Sequence, residues 1–445
     1  ESIKNILVAH QFVTANGKSP ERSESENSSL GTLDNIDASV FDTRNVTDMS
    51  NMFYDCSSLP VYNNIRYAGT EETGLYCAVE AVDKTLDTYE LKEDTKWIGS
   101  YCFDDCSNLT GMTLPESLIF IGYSAFDYYS DNFPVVDNIR YVGSETNNIW
   151  CALQVTDDTL ESYTLREGTR FMIETFDYCD NMTHLELPEG LLSMTDYSVY
   201  DCDSLTSITL PDSLLSITEN CIENNDALLE INCGSGLKVI GYSGIYYNEN
   251  LQTINFNDGL KVIGYEGCYE NYSLSDIVIP DSVSYLGDQA FYEAMYNNVS
   301  CRGNLTIGNG VTYIPYGCFE YCEYMQNCNM GTNVRAIEES AFYDCYELKD
   351  CQFPSLLSYI GEDAFNDCIL TAITIPATVS YIGKYAFEDC IVESKNFINQ
   401  SSLDETENDY WGAFVYDYIT EDGLYILNNN VISVLDTTRE TYTIP

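Results

Sequence analysis

The sequence predicts a repeat solenoid, in which parallel β-strands and short helical turns wind into stacked coils. Three observations carry this expectation. A unit of 23 residues recurs along most of the 445-residue chain. An apolar anchor falls at Phe103, Phe126, Phe176, Val199, Ile222, Ile245, Cys268, Phe291, Phe319, Phe342, Phe365 and Phe387, in steps of 23 interrupted by steps of 50, 28 and 22. A strand frame ending in proline recurs in phase with the anchor, as in Leu205-Thr-Ser-Ile208-Thr-Leu210-Pro211. A unit this small cannot bury its own apolar edge, so successive copies must share one interior. About 13–15 coils are expected on this basis.

The elements follow in chain order. Residues 1–35 read as an N-terminal linker or cap, partly flexible, because the stretch from Ser19 to Gly31 is polar and lacks periodicity. The solenoid is expected over 36–445. In its first strand Ile208 and Leu210 point the same way, and Pro211 ends the strand because it cannot donate to a ladder. The frame returns at Leu109-Met112-Leu114-Pro115, Leu274-Ile277-Ile279-Pro280 and Leu370-Ile373-Ile375-Pro376. A second short strand ends at Ile121, Ile217, Ile240, Ile263, Ile337, Ile360 or Ile382. Glycine often follows (Gly122, Gly241, Gly264, Gly361, Gly383), which predicts a turn with unusual dihedrals. Next come pairs such as Ala341-Phe342 and Ala364-Phe365, short and non-alternating, which predict one helical turn on the opposite wall. Three segments, near 60–98, 132–172 and 409–445, resemble one another and alternate as β-hairpins projecting from the solenoid, with Gly69, Gly74, Gly143 and Gly423 at turns. The segment Glu440-Thr-Tyr-Thr-Ile-Pro445 matches the first half of a unit, so an open core edge and end-to-end self-association are expected there.

Composition narrows the function classes. The chain carries 71 acidic against 19 basic residues, a formal charge of −52. Nucleic acid is excluded as a partner, because neutralising phosphates takes clustered lysine and arginine. Anionic lipid is disfavoured for the same reason. No run approaches 18 apolar residues, so no helical membrane span is expected. Of the eighteen cysteines, Cys56, Cys106, Cys179, Cys202, Cys322, Cys345, Cys368 and Cys390 share one slot, three residues after the anchor. Tyr129, Asn225, Asn248, Asn271 or Ala294 fill it elsewhere, and a cysteine that trades with Ala and Asn reads as a small buried residue at a bend. Cys328 and Cys351 take core-facing strand positions. Stacked neighbours within disulfide reach leave isolated bridges open. Cys318 and Cys322 lack the Cys/His quartet of a zinc site.

The units, with strand, proline, Ile-Gly, Ala-Phe and Cys in fixed order, resemble the BspA-like leucine-rich repeat family over about residues 85–390. Phe41-Asp-Thr-Arg-Asn-Val-Thr-Asp-Met-Ser-Asn-Met-Phe-Tyr-Asp-Cys56 resembles a related surface-protein repeat. The resemblance implies a right-handed solenoid displayed at the cell surface or secreted, with adhesion to host proteins, to other microbes or to matrix. It carries no catalytic residue.

The residues agree on that last point. Only His10 and His184 exist, neither beside a nucleophile motif, and no phosphate loop, metalloprotease motif or EF-hand loop is present. No enzyme and no required cofactor are expected. The partner is expected to be a protein or glycan on a host or neighbouring cell, with a structural stalk or a glycan-binding module as the alternative roles. The contact candidates lie one residue before the cysteine slot: Tyr247, Glu270, Tyr321, Asp344, Asp367 and Asp389. Carboxylates stacked near 5 Å repel by about 0.8 kcal/mol in water. They either splay into solvent or share a cation, which leaves weak calcium binding as the alternative to solvation. The 37 tyrosines crowd the same loops, and tyrosine gives large contact area at low entropy cost. Packing between coils is the competing role.

Overall fold

The structure is a computed structural model that describes residues 58–70, 75–126, 131–296, 301–403, 411–416, 418–420, 424–427 and 430–434. The linker over 1–35, the Phe41 to Cys56 repeat, His10, Gly74, Gly423 and the segment 440–445 lie outside the described residues. The chain forms a β-solenoid of about 14 turns, divided into two compact units, Glu1–Leu251 and Gln252–Pro445.

In the first unit the repeat period becomes ladder register. Strand Ser207–Thr209 pairs in parallel with Glu230–Asn232, setting Ile208 against Ile231. Strand Ser216–Thr218 lies between Ser193–Thr195 and Val239–Ile240, so Met194, Ile217 and Ile240 form one column. These residues are fully or almost fully buried. In the second unit Ile277–Ile279, Gly303–Ile307, Met325–Asn329 and Asp350–Cys351 make one sheet. Tyr313–Ile314, Ala336–Ile337, Tyr359–Ile360 and Tyr381–Ile382 make another. Cys328 and Cys351 are opposed and buried in the first of these, where the strand pattern puts them.

Among the described residues the predicted helical turn at the anchor is absent. Phe176–Asp177, Val199–Tyr200, Ile222–Glu223 and Ile245–Tyr246 form a third parallel sheet instead. In the second unit the anchors sit in turns whose amides alternate. Ala290, Tyr292 and Ala294 donate to carbonyls three residues back, while Gln289, Phe291 and Glu293 donate to Tyr316, Cys318 and Glu320 in the next coil. A helix would need all these amides in one direction. The alternation arises from left-handed backbone two residues before and two after the anchor, as at Gln289 (φ +55°) and Glu293 (φ +54°).

The glycines after the second strand do not supply that conformation. Their φ values are not in the left-handed region. They allow close stacking: a Cβ on Gly383 would lie 2.2 Å from the backbone nitrogen of Glu362, and one on Gly361 2.4 Å from that of Glu339.

The inserts are hairpins, but they do not project. Val61–Tyr62, Ile65–Thr70 and Leu75–Ala81 are antiparallel, and Leu75–Ala81 then pairs in parallel with the coil strand Thr95–Ile98. Val135–Val136, Ile139–Ser144 and Ile149–Val155 repeat the arrangement against Thr169–Ile173. Each hairpin therefore extends a solenoid sheet in its own plane. The tight turns are Asn63-Asn64 and Asp137-Asn138, with positive φ at both positions, as a two-residue hairpin of matching twist requires. Gly69 and Gly143 lie within strands. The third segment holds the antiparallel strands Tyr418–Ile419, Leu424–Leu427 and Asn430–Val434.

Phenylalanine anchors stack through the core of the second unit. Phe291, Phe319, Phe342, Phe365 and Phe387 follow one another at ring separations of 5.5, 5.3, 5.1 and 5.6 Å, within 17° of parallel. The cysteine slot borders this column, and it is a donor slot as well as a small one. The Sγ of Cys322, Cys345, Cys368 and Cys390 each donates to the carbonyl of the anchor one coil earlier, at 3.2 to 3.4 Å. In the first unit Asn225 and Asn248 do the same to Val199 and Ile222 at 3.2 and 3.0 Å. Every described cysteine is a thiol, and all except Cys233 are buried.

Candidate functional site

The six contact candidates share one backbone feature. Tyr247, Glu270, Tyr321, Asp344, Asp367 and Asp389 all have φ between +52° and +63°, as do Asp105, Tyr178, Asp201, Asn224 and Glu293 in the same slot. Asp and Asn tolerate this region, whereas Tyr and Glu are strained there. The conformation turns each amide onto the next coil: Tyr321 donates to Tyr343, Asp344 to Asn366 and Asp367 to Glu388, at 2.8 to 3.0 Å. The side chain is left at the outer corner. The abundance of Asp and Asn at one repeat position was the sequence signal for such a corner. A β-branched residue there should cost about 1–2 kcal/mol. In denaturant unfolding Glu293→Val is expected to fall below wild type, and Glu293→Asn, which tolerates the conformation better than glutamate, is expected to match or exceed it.

Within the second unit the corners form a mixed tyrosine and carboxylate ribbon. Tyr269 and Tyr292 stack at 4.8 Å and 6°. Tyr321 meets Tyr292 and Tyr343 edge-on at 5.4 and 5.7 Å. Tyr272 donates to Glu270 Oε2 at 3.0 Å. These rings are half-buried, so they pack between coils and still face solvent along one edge. Asp344 is buried, Asp367 half-buried and Asp389 exposed, and successive carboxyls of the three are within hydrogen-bonding reach. Tyr247 belongs to the first unit, exposed and tilted against Tyr246 at 5.8 Å.

Burial, and after it the neighbouring acids, raise the affinity of this face for protons. Glu320 is pushed up to about 7, by burial first and then by Asp344 and Glu293. Burial likewise raises Glu293, Asp344, Asp367 and Asp389 above the usual carboxylate range. A carboxyl raised in the folded state stabilises it fully below the unfolded value near 4. That contribution is lost as pH rises through the folded value, near 7 for Glu320. Among the described residues no ion pair reaches these carboxylates. Nor do three His, Cys, Asp or Glu side chains converge there as a metal site requires.

One row was missed in the sequence. Tyr346, Ile369 and Ile391 stand two residues after Asp344, Asp367 and Asp389, and each is about half exposed, at 45, 51 and 51%. An acidic row and an apolar row therefore run side by side across three successive coils. An apolar residue directly after the slot cysteine at 368 and 390 was the available signal, hidden because the neighbouring apolar positions are core. His184 lies exposed on strand His184–Glu186, beside an open depression lined by Glu186, Glu189, Thr209 and Asp212. Among the described residues no helix is long and apolar enough to cross a membrane.

The model of the BspA type leucine-rich repeat region matches in six copies, over residues 49–146, 169–298 and 265–393. No curated protein matches the sequence. Among solved structures, a leucine-rich repeat protein from Eubacterium ventriosum is 18% identical, with 78% of this chain and 95% of that one covered and a TM-score of 0.35. A leucine-rich cell surface protein from Faecalibacterium prausnitzii is 16% identical, covering 79% and 96%, with a TM-score of 0.32. The pneumococcal vaccine antigen PcpA is 14% identical, covering 82% and 99%, with a TM-score of 0.36.

Proposed function

Because this chain belongs to the BspA-type leucine-rich repeat family, we propose that it is a non-catalytic binding protein working outside the cell or at its surface, in adhesion or protein recognition. The paired rows of the second unit carry the proposal. Tyr346, Ile369 and Ile391 supply half-exposed apolar contact, and the half-buried Asp367 and exposed Asp389 supply carboxyl groups beside it. Exposed apolar groups held in a row, rimmed by charge, are what an interaction surface offers. The rows suit a polypeptide on a host or neighbouring cell that presents apolar and basic side chains together, since tyrosine faces and carboxylates both attract cations. A glycan is the second candidate partner, which the tyrosine edges of the ribbon would serve by stacking.

The triple variant Tyr346→Ala, Ile369→Ala, Ile391→Ala tests the surface. Binding to arrays of surface and matrix proteins and of glycans is expected to fall at least tenfold, with unfolding still cooperative and only modestly lowered, because the removed groups are half exposed. Undiminished binding would discard this face as the contact. Turnover of any arrayed substrate would discard the non-catalytic assignment.

A further inference from the structure

The first unit contains a break. One sheet runs from Val61–Tyr62 to Phe120–Ile121, and a second begins with the hairpin strand Val135–Val136 and continues through Thr169–Ile173 and Ser193–Thr195. No ladder of the described residues joins the two sheets. Side chains bridge the break instead. Asn147 donates to the Leu114 carbonyl at 2.7 Å, and Arg170 to that of Glu116 at 3.4 Å. The third bridge is acidic. Ser124, three residues past Phe120–Ile121, donates its amide to Asp196 Oδ2 at 2.8 Å. Its Oγ lies 3.1 Å from Glu174 Oε1 and 3.2 Å from Asp196 Oδ2. Glu174 and Asp196 each directly follow a strand of the second sheet, and the Glu174 amide donates to the Asp196 carbonyl at 2.6 Å.

Asp196 has no exposed surface, and its Oδ1 lacks a hydrogen-bond partner. Ser124 offers two donors to two carboxyl groups, which is too few if both are ionised. The groups acting on the pair are Ser124 and Asp177, with Tyr123, Tyr197 and Cys221 nearby and Glu223 beyond Tyr197. None is cationic. A calcium ion takes six to eight oxygens, and the two carboxyls with Ser124 Oγ offer five side-chain oxygens. One proton placed between the two carboxyls, which lie within hydrogen-bonding reach, supplies a donor the site otherwise lacks and removes one of two buried like charges.

We propose that Glu174 and Asp196 share a single proton across the break between the two sheets, and that losing this proton loosens the break, making it a pH-sensitive latch. Burial, and then Asp196, push Glu174 up to about 10, in line with a shared proton. The native state then keeps a proton that the unfolded chain releases near pH 4, so stability at the break declines as pH rises between those values.

The test uses the intact chain. In wild type, a protonated-carboxyl band in the infrared spectrum should persist at pH 8.5, and Glu174→Gln should remove it. Hydrogen exchange, corrected for intrinsic rate, should show protection over 120–126 and 172–198 falling at least tenfold from pH 6 to pH 9. Protection of strand Ser216–Thr218 should hold. Glu174→Gln, a permanent donor, should make the 120–126 profile flat. Absence of the wild-type band overturns the proposal even if the variant fails to fold. So does a pH-independent wild-type profile, or an equal decline in Glu174→Gln. Restoration of protection at pH 9 by millimolar calcium, in wild type alone, would also overturn it and assign a cation to the pair.

Discussion

Replacing Phe342 by alanine is expected to cost about 3–5 kcal/mol, among the largest losses of any single substitution in this chain. The ring has no exposed surface and is stacked on Phe319 at 5.3 Å and Phe365 at 5.1 Å. Truncation removes both contacts and leaves a cavity that the coils cannot close, because their spacing is fixed by backbone bonds such as Phe342 to Ala364. In a stacked array the loss spreads to nearest neighbours first. Hydrogen exchange should therefore show protection lost around 319–365, while residues of the first unit keep theirs. A loss below about 1 kcal/mol would mean the column is not a shared interior.

The second large effect lies in the donor slot. Asn248 accepts from the Asn225 amide at 3.2 Å and from its Nδ2 at 3.0 Å, and it donates to the Ile222 carbonyl at 3.0 Å. Asn248→Val should leave the Asn225 amide and the Ile222 carbonyl buried and unpaired, at about 1–3 kcal/mol for each. Asn248→Cys should recover part of this loss, since Cys322 and its successors make the same donation through sulfur. Denaturant unfolding of the three proteins orders them directly. If cysteine and valine are equally damaging, the slot selects for size and not for a donor.

These two columns show how far the sequence reached. Phe342 was legible because an apolar residue at a fixed period has one role, and the strands around Ile208 and Ile217 were legible for the same reason. The cysteine slot was legible as buried but not as donating, since the Ala294 copy concealed the requirement that Asn225 and Cys345 share. The anchor turn was misread because Ala-Phe suits a helix locally. What decides the outcome is the left-handed residue on either side, and Gln289 and Glu293 give no local sign of it. The exposed isoleucines were illegible for a related reason. Ile369 and Leu370 are equally apolar neighbours one step apart in register, yet the first is half exposed and the second fully buried.

A mirror-image residue favours the corner that a natural one resists. D-amino acids reach positive φ without the clash between Cβ and carbonyl that penalises their L counterparts. Asp344, Asp367 and Asp389 are therefore sites where a semisynthetic chain could carry D-aspartate with its backbone bonds intact. Such a chain would keep the corner while sending each carboxylate along the direction the Cα hydrogen now takes, in a stereochemistry that proteases do not cut.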